Sequence, residues 1–588
     1  MSSPGRGVRR IRALVVASTV AAVLAAAGCG LPSSGPVEQG LRIDQPAAPP
    51  IKLGFEAPRP GATPEQVVHG FLAALWSADD GYRAARAYLT AEASQAWRPR
   101  SVVVYPGTAR PETAVSADGR KVTVTFQEGA TLDAAGRFSA SPVGTTREQD
   151  ISLERVSGEW RIAGLPDGFG LWISQFYFDR AYRQYQVAYV SRSGDTLVPD
   201  WRRFAVGSGL TTSLARALLD PVPEYLAPAV MSGYPSGTEL AVEAVPLAGG
   251  TAQIDLSQRA LAMDAASRRA AWAQALRTMR QVSEADDVAL MVDGRPLDIG
   301  GFQGTPRTVA ELGFQGAPAL SAVVLRRVGD VLEPVSSTSF PRGVDVPGMP
   351  ALPRLPETWT HVAVSADFSD VAAVSADGAR LGRWVGGEAR PVRLPASALT
   401  SPAFDNHGHA WVGGEAADGS AGIWVLPPKD GGGVATRLAT PWLKGRSVVS
   451  VRPSPEGYRA VVLSRETSGR MHLDLAGIER DESRAPVALA QPWPVGRDVA
   501  VAESVTWIDD RSLAVVGSRL AGAQATPLVV PLGANTVEQP AIPGLTSLVS
   551  LGGERGLVGV TSANEVVRRA GSGWQSVGSA SGVIVPAR

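Results

Sequence analysis

The chain has 588 residues, with 56 Lys or Arg balanced by 56 Asp or Glu, so its net charge is zero. No basic run is long enough to grip a nucleic-acid backbone. Apolar content of 44% is that of a globular protein, and the length suits about three or four domains. A single cysteine, Cys29, excludes an intrachain disulfide and a thiol cluster for a metal.

Residues 1–28 read as a signal peptide. Arg6, Arg9, Arg10 and Arg12 make a basic start, Ala13 to Ala27 carries no charge, and small residues lead up to Cys29. The uncharged run is shorter than the roughly 20 residues of a spanning helix. Ala26-Ala27-Gly28-Cys29 resembles a bacterial lipobox, with Ala26 standing where leucine is commonest. The resemblance implies cleavage between Gly28 and Cys29, a diacylglycerol on the Cys29 sulfur and an acyl chain on the new amine. Two or three chains anchor stably, since each buried CH2 contributes about 0.8 kcal/mol and one chain alone is marginal. Residues 29–60 follow as a lipidated, proline-rich tether (Pro32, Pro36, Pro46, Pro49, Pro50, Pro58, Pro60). Its extended reach is roughly 90 Å.

Residues 61–168 read as a helix-first α+β domain. Thr63 is a good N-cap, Pro64 suits the first helical position and Gln66 completes a capping box. Val67, Val68, Phe71, Leu72 and Leu75 then recur at the spacing of one buried helical face. A second helical run is predicted from Tyr82 through Ala85, Tyr88 and Leu89 to Trp97. After Pro99 the period changes to two, and Val102 to Tyr105, Lys121 to Glu128, Gln149 to Arg155 and Glu159 to Ala163 read as strands of a curved antiparallel sheet. The order resembles the cone-shaped α+β sandwich of nuclear transport factor 2, in which the sheet wraps the first helix. His69, the domain's only histidine, falls on that helix and reads as surface or structural.

Residues 172–302 form a second α/β block. Strands are expected at Tyr185 to Val190, Leu197 to Ala205, Glu239 to Pro246, Thr251 to Leu256 and Val288 to Val292. Helices are expected from Thr212 to Leu219 and, capped by Asp264, through Trp272, Leu276 and Met279. Ala215-Arg216-Ala217-Leu218-Leu219, Pro235-Ser236-Gly237-Thr238, Ile254-Asp255-Leu256-Ser257 and Val292-Asp293-Gly294 occur in the order of a GerMN domain, which they resemble. That domain belongs to extracytoplasmic lipoproteins, and the resemblance implies a binding or assembly module.

Residues 319–588 change texture to short β runs between Gly, Asp and Asn turns. Units begin near His361, Ser401, Val448, Glu503 and Leu545, at the 40- to 55-residue period of a β-propeller blade. Ser321 to Arg327 and Gly582 to Val585 are placed to close a further blade from the two ends, giving about six.

Catalytic motifs are absent: there is no G-x-S-x-G elbow, H-E-x-x-H, P-loop or complete dinucleotide fingerprint, and Gly168-Phe169-Gly170 lacks its third glycine. His407-Gly408-His409 is the best metal-like pair, but it also reads as a turn, and no third ligand can be named. Asp118, Asp377 and Asp418 precede or enter glycine turns and read as turn formers. Eight tryptophans fall in the C-terminal region, most of them suited to packing between blades. No catalytic, cofactor or metal site is assigned.

Lipobox, tether, α+β domain, GerMN-like block and propeller together resemble the LpqB family of actinobacterial lipoproteins over the whole mature length. The resemblance implies a non-enzymatic lipoprotein on the extracytoplasmic face of the cell membrane. There it would act as accessory to the MtrAB two-component system, binding the extracytoplasmic domain of its sensor histidine kinase and modulating envelope and division signalling. It implies no cofactor and no nucleic-acid partner. Two alternatives differ in the site they need: an envelope-glycan binder needs a tryptophan-lined cleft, and a propeller hydrolase needs converging carboxylates in the central channel.

Overall fold

The computed structural model describes residues 57–587 except 77–80, 108–110, 300, 301 and 303. Gly28, Cys29 and the tether up to residue 56 lie outside the described residues. The remainder forms one compact unit that is multidomain: two α+β layers followed by an all-β propeller.

The N-terminal helix Pro64–Ala74 starts as its sequence dictates. The Thr63 hydroxyl accepts from Gln66 N at 3.3 Å, and Gln66 Oε1 accepts from Thr63 N at 3.0 Å. Its apolar face is buried between two four-stranded sheets and meets an aromatic cluster of Phe71, Trp97, Phe169, Trp172, Phe126 and Tyr105, with ring centroids 4.6 to 5.9 Å apart. Two expectations change here. The second helical run breaks into Arg83–Arg86 and Ala91–Ala96. Leu89 forms a parallel bridge with Ile162, and the Thr90 hydroxyl accepts from Ala93 N, which starts a new helix instead of continuing the old one. The sheet is also not purely antiparallel, because Val102–Tyr105 pairs in parallel with Leu171–Ser174. Gly170 leads into that parallel strand. A Cβ there would lie 2.0 Å from the Ser101 carbonyl oxygen, so the glycine serves close backbone approach.

The middle domain packs helix Ala265–Met279 on the antiparallel pair Tyr182–Ser191 and Leu197–Ala205. Asp264 caps the helix, accepting from Ser267 N at 2.7 Å. Buried Gln274 donates to Ala188 O at 2.8 Å and accepts from Gly233 N at 2.6 Å, so a polar latch fixes the helix inside an apolar core. Strands Thr251–Leu256 and Asp287–Val292 pair in parallel, and Gly294 N donates to the Asp255 carboxylate at 3.1 Å. Two of the four GerMN-like stretches thus meet. The strand expected over 239–246 does not form. Only Leu240 bridges to Leu256, and Val245 N turns instead to the Thr212 hydroxyl at 2.9 Å, while the Thr211 hydroxyl donates to Val245 O. The N-terminal turn of helix Leu210–Leu219 takes backbone groups that a ladder would have used.

Six sheets follow in a ring. Five are meanders of four strands, one with an extra short strand; they begin with Trp359–Val364, Ala403–Phe404, Arg446–Pro453, Val501–Trp507 and Leu545–Ser550. In the sixth, Val323–Val328 lies between Val331–Ser336 and the late strand Gly582–Ile584, with Leu325 opposite Ile584. The ring is closed by pairing residues 255 to 259 positions apart, which leaves no open edge at the seam.

Candidate functional site: the propeller channel

The first strand of each four-stranded sheet, together with residues 581–587, encloses a cavity of about 700 Å³ on the propeller axis. Blades related by rotation run these strands in one direction, so their beginnings form one mouth and their ends the other. Hydroxyls dominate the first mouth: Thr360, Thr400, Ser401, Ser504, Thr546 and Ser547 line it with His361 and Glu503. Deeper in the channel lies Arg452. Its Nη1 donates to Ser401 O at 3.0 Å and Val451 O at 2.9 Å, and its own carbonyl accepts from Trp507 Nε1 at 3.0 Å. Burial pushes the guanidinium down to about 10, which leaves it charged at neutral pH. Desolvation and then the Arg452 charge lower the His361 imidazole, which favours its neutral form. Arg327, also in the wall, donates to the carbonyls of Gly329, Leu355, Pro356 and Trp359. Among the described lining residues Glu503 is the one carboxylate, so a pair of acids for hydrolysis does not converge there.

The opposite face of the propeller is covered by the middle domain. Tyr458 and Asp510 follow first strands, and Arg484 and Gly533 follow third strands, so all four lie on the far side from the hydroxyl mouth. Ser193 and Tyr458 share a hydrogen bond of 2.6 Å between hydroxyls, Trp201 Nε1 donates to Asp510 O at 3.0 Å, Arg203 Nε donates to Gly533 O at 2.6 Å, and Arg484 pairs with Asp195 at 2.8 Å. Gly477 N donates to Tyr225 O at 2.7 Å; a Cβ on Gly477 would sit 2.9 Å from that oxygen. Behind this contact Asp200 accepts from Arg202 Nε and Tyr225 Oη, both at 2.7 Å. Burial alone would raise the Asp200 carboxyl, but Arg202 and then Arg137 hold it below the usual carboxylate range. Arg203 N also donates to Gly136 O at 2.7 Å, which ties the N-terminal domain to the same strand. None of these residues carries a motif that marks it as a contact. The available signal was a strand reading Asp200-Trp201-Arg202-Arg203, where charges sit among residues that must be buried.

The residues singled out by sequence fall mostly into turns. Asp405 accepts from His407 N, His409 N, Trp411 Nε1 and Arg480 Nη2, so it organises the loop that carries both histidines. His409 Nδ1 lies 3.4 Å from that carboxylate, while His407 stacks edge-on against Tyr458 at 5.7 Å. No group of three metal-ligating side chains occurs among the described residues. Asp118, Asp377 and Asp418 accept from Ser116, Ser375 and Ser420 two positions away, bonds that lower each carboxyl and define the turn. His69 contacts Thr113 Oγ1 at 3.2 Å and Glu65 at 3.8 Å. Trp411 and Trp424 are fully buried in blade cores, and Trp493 packs against the middle domain, so these rings do not form a sugar-stacking cleft.

Comparison with known proteins is consistent along the chain. Residues 57–178 match the family described as the lipoprotein LpqB N-terminal domain, residues 181–298 the Germane family of sporulation and spore germination, and residues 335–587 the lipoprotein LpqB beta-propeller domain. Lipoprotein LpqB of Streptomyces coelicolor is 30% identical, with 99% of each chain covered. Lipoprotein LpqB of Thermobifida fusca is 28% identical over 88% of this chain and 89% of the relative. TolB from Acinetobacter baumannii is similar to 45% of this chain over 66% of its own, at 14% identity and a TM-score of 0.31.

Proposed function

The chain belongs to the LpqB lipoprotein family, and on that premise we propose that it is held on the outer face of the cell membrane by lipid on Cys29, where it binds and modulates the extracytoplasmic domain of a sensor histidine kinase. The lipid would be added at the sulfur and followed by cleavage after Gly28. Among the described residues no helix is long and apolar enough to cross a membrane.

One observation carries the reading: the middle domain is packed and bonded to a single face of the propeller. Hydrogen bonds and a shared apolar core fuse the middle domain to one face of the propeller, and the other face lies away from that contact. That face carries the hairpins between second and third strands, with tips at Asp377, Asp418 and the exposed Leu520. A partner domain docked there would meet a preformed surface and pay little ordering entropy. Confinement to the membrane by the lipid on Cys29 would raise the effective concentration of such a partner. Modulation requires only that the protein bind one signalling state of the kinase more tightly than the other.

Cross-linking in membranes with the native lipoprotein as bait should recover a sensor kinase, and deletion should change that kinase's phosphorylation. Recovery of no kinase together with unchanged phosphorylation refutes the reading. A Cys29→Ala variant should leave the membrane fraction, and continued tight anchoring would overturn the lipid attachment.

A further inference from the structure

We propose that the propeller channel is a binding site for a small ligand carrying an oxyanion, a carboxylate or a phosphate ester, held by Arg452. The inference is independent of the kinase reading, because it concerns the axis of the ring rather than its docking face.

Three features of the wall point to an anion. Arg452 carries a full positive charge, yet the acceptors it uses are carbonyls and none is a carboxylate. Every hydrogen bond of the guanidinium runs from Nη1, so Nε and Nη2, two donors of the planar fork, have no partner among the described residues in a side chain that lines the cavity. A guanidinium presents those donors at the spacing of two carboxylate or phosphate oxygens. The second feature is Ser450, one strand position from Val451. The residue is 2% exposed and belongs to the lining of the same cavity, and its hydroxyl lacks a partner. A buried hydroxyl left unpaired costs free energy that a ligand oxygen would recover. Third, the mouth offers neutral donors, namely the hydroxyls of Ser401, Ser504 and Ser547 and the His361 ring. Glu503 stands at the mouth as the single opposing charge. It admits a ligand past it but weakens the hold on an anion.

This chemistry also ranks ligands. An uncharged sugar would satisfy the hydroxyl ring but leave Arg452 without a counter-charge. A cation would meet Arg452 directly. An acid sugar or sugar phosphate matches both parts, with the anion at Arg452 and hydroxyls at the mouth.

The test is titration calorimetry on the full mature lipoprotein in neutral detergent, with inorganic phosphate, glucuronate and glucose as separate probes. Saturable one-site binding of phosphate, glucuronate or both is expected, and whichever binds identifies the oxyanion; glucose should give no heat of binding. Arg452→Gln should weaken the anion by more than about tenfold, and Glu503→Gln at the mouth should tighten it by about threefold. Arg390→Gln, an exposed change outside the channel lining, should alter nothing. If Arg452→Gln does not fold, Glu503→Gln decides. Absence of saturable anion binding, equal binding of glucose, indifference to Glu503→Gln, or an equal loss in Arg390→Gln would each overturn the site.

Discussion

In the N-terminal domain the space between the sheets is occupied by Phe71, Trp97, Phe126 and Trp172, all less than a tenth exposed. In the propeller the space between the first strands is an open cavity of about 700 Å³, and the buried apolar groups lie between neighbouring blades instead. The difference follows from how each assembly is made. Two sheets facing each other share one core, and a helix with an apolar face fills it. Six sheets around an axis form a separate core at each blade contact and need nothing at the centre. Stability is therefore concentrated in the first domain and distributed in the second, whose axis keeps the space for a ligand.

That contrast fails or holds first at the seam. Truncation after Ala580 removes Val583 and Ile584, both largely buried, and exposes the paired edge of Val323–Val328. A ring without a central core depends on closure, so the loss should exceed about 4 kcal/mol. It should appear in denaturant melts as an early transition of the propeller. A single unchanged transition would mean that blade contacts alone suffice. Phe71→Ala should cost about 3–5 kcal/mol by the same measurement, because the cavity it leaves lies inside one tightly packed cluster. A cost below about 1 kcal/mol would show that the helix is not the centre of that domain.

The sequence made one of these assemblies easier to see than the other. The filled domain announced itself through Thr63, Pro64 and Gln66 and through the spacing of Val67, Val68, Phe71 and Leu72, which are local features. The blades were visible as a period, and the closing strand followed from the texture of the two ends. What escaped were features that exist only between elements. Val245 gives its amide to Thr212 and so cancels an expected strand. Leu89 pairs with Ile162 and breaks an expected helix. The channel was the least legible part. Arg452 sits in a strand of Val and Ser, and nothing local says that the face it points from looks on to an axis shared by six blades. The same holds for Gly477, whose need for a bare Cα arises from Tyr225, 252 positions earlier.

Gly477 also marks where the distributed assembly acquires a concentrated contact. Gly477→Val would push a side chain against the Tyr225 carbonyl and the Ala229 side chain, both within 3.0 Å of the added Cβ. The expected cost is about 1–3 kcal/mol. It should fall on the contact between the middle domain and the propeller, read as faster amide exchange over 193–203 with the N-terminal domain unaffected. Equal exchange everywhere would mean that the two domains are held together elsewhere.

The smallest effect concerns the rim, where polar loops replace both kinds of core. His407 lies against Tyr458, and its Nε2 is buried without a partner. The groups facing it are Asp405, His409, Arg480 and Arg484. Burial first, and then the Arg480 charge, lower its pKa to about 4. A histidine depressed in the folded state is neutral in both states above its unfolded value of about 6.5. Below that pH the unfolded chain takes up the proton and the folded chain does not, so stability is complete above pH 6.5 and falls as the pH drops toward 4. Because the ring is partly exposed, the loss should be limited to about 1–2 kcal/mol. His407→Gln should remove that share of the acid sensitivity between pH 6.5 and 4.5 in urea denaturation, while leaving pH 8 stability within about 1 kcal/mol. Asp405 does not blur the measurement. Its carboxyl is held below the usual range by Arg480 and His409 against the opposing effect of burial, so its contribution is lost only at lower pH. Parallel acid profiles for His407→Gln and the parent would place the titrating group elsewhere, and the rim would then be as indifferent to protonation as the blade cores beneath it.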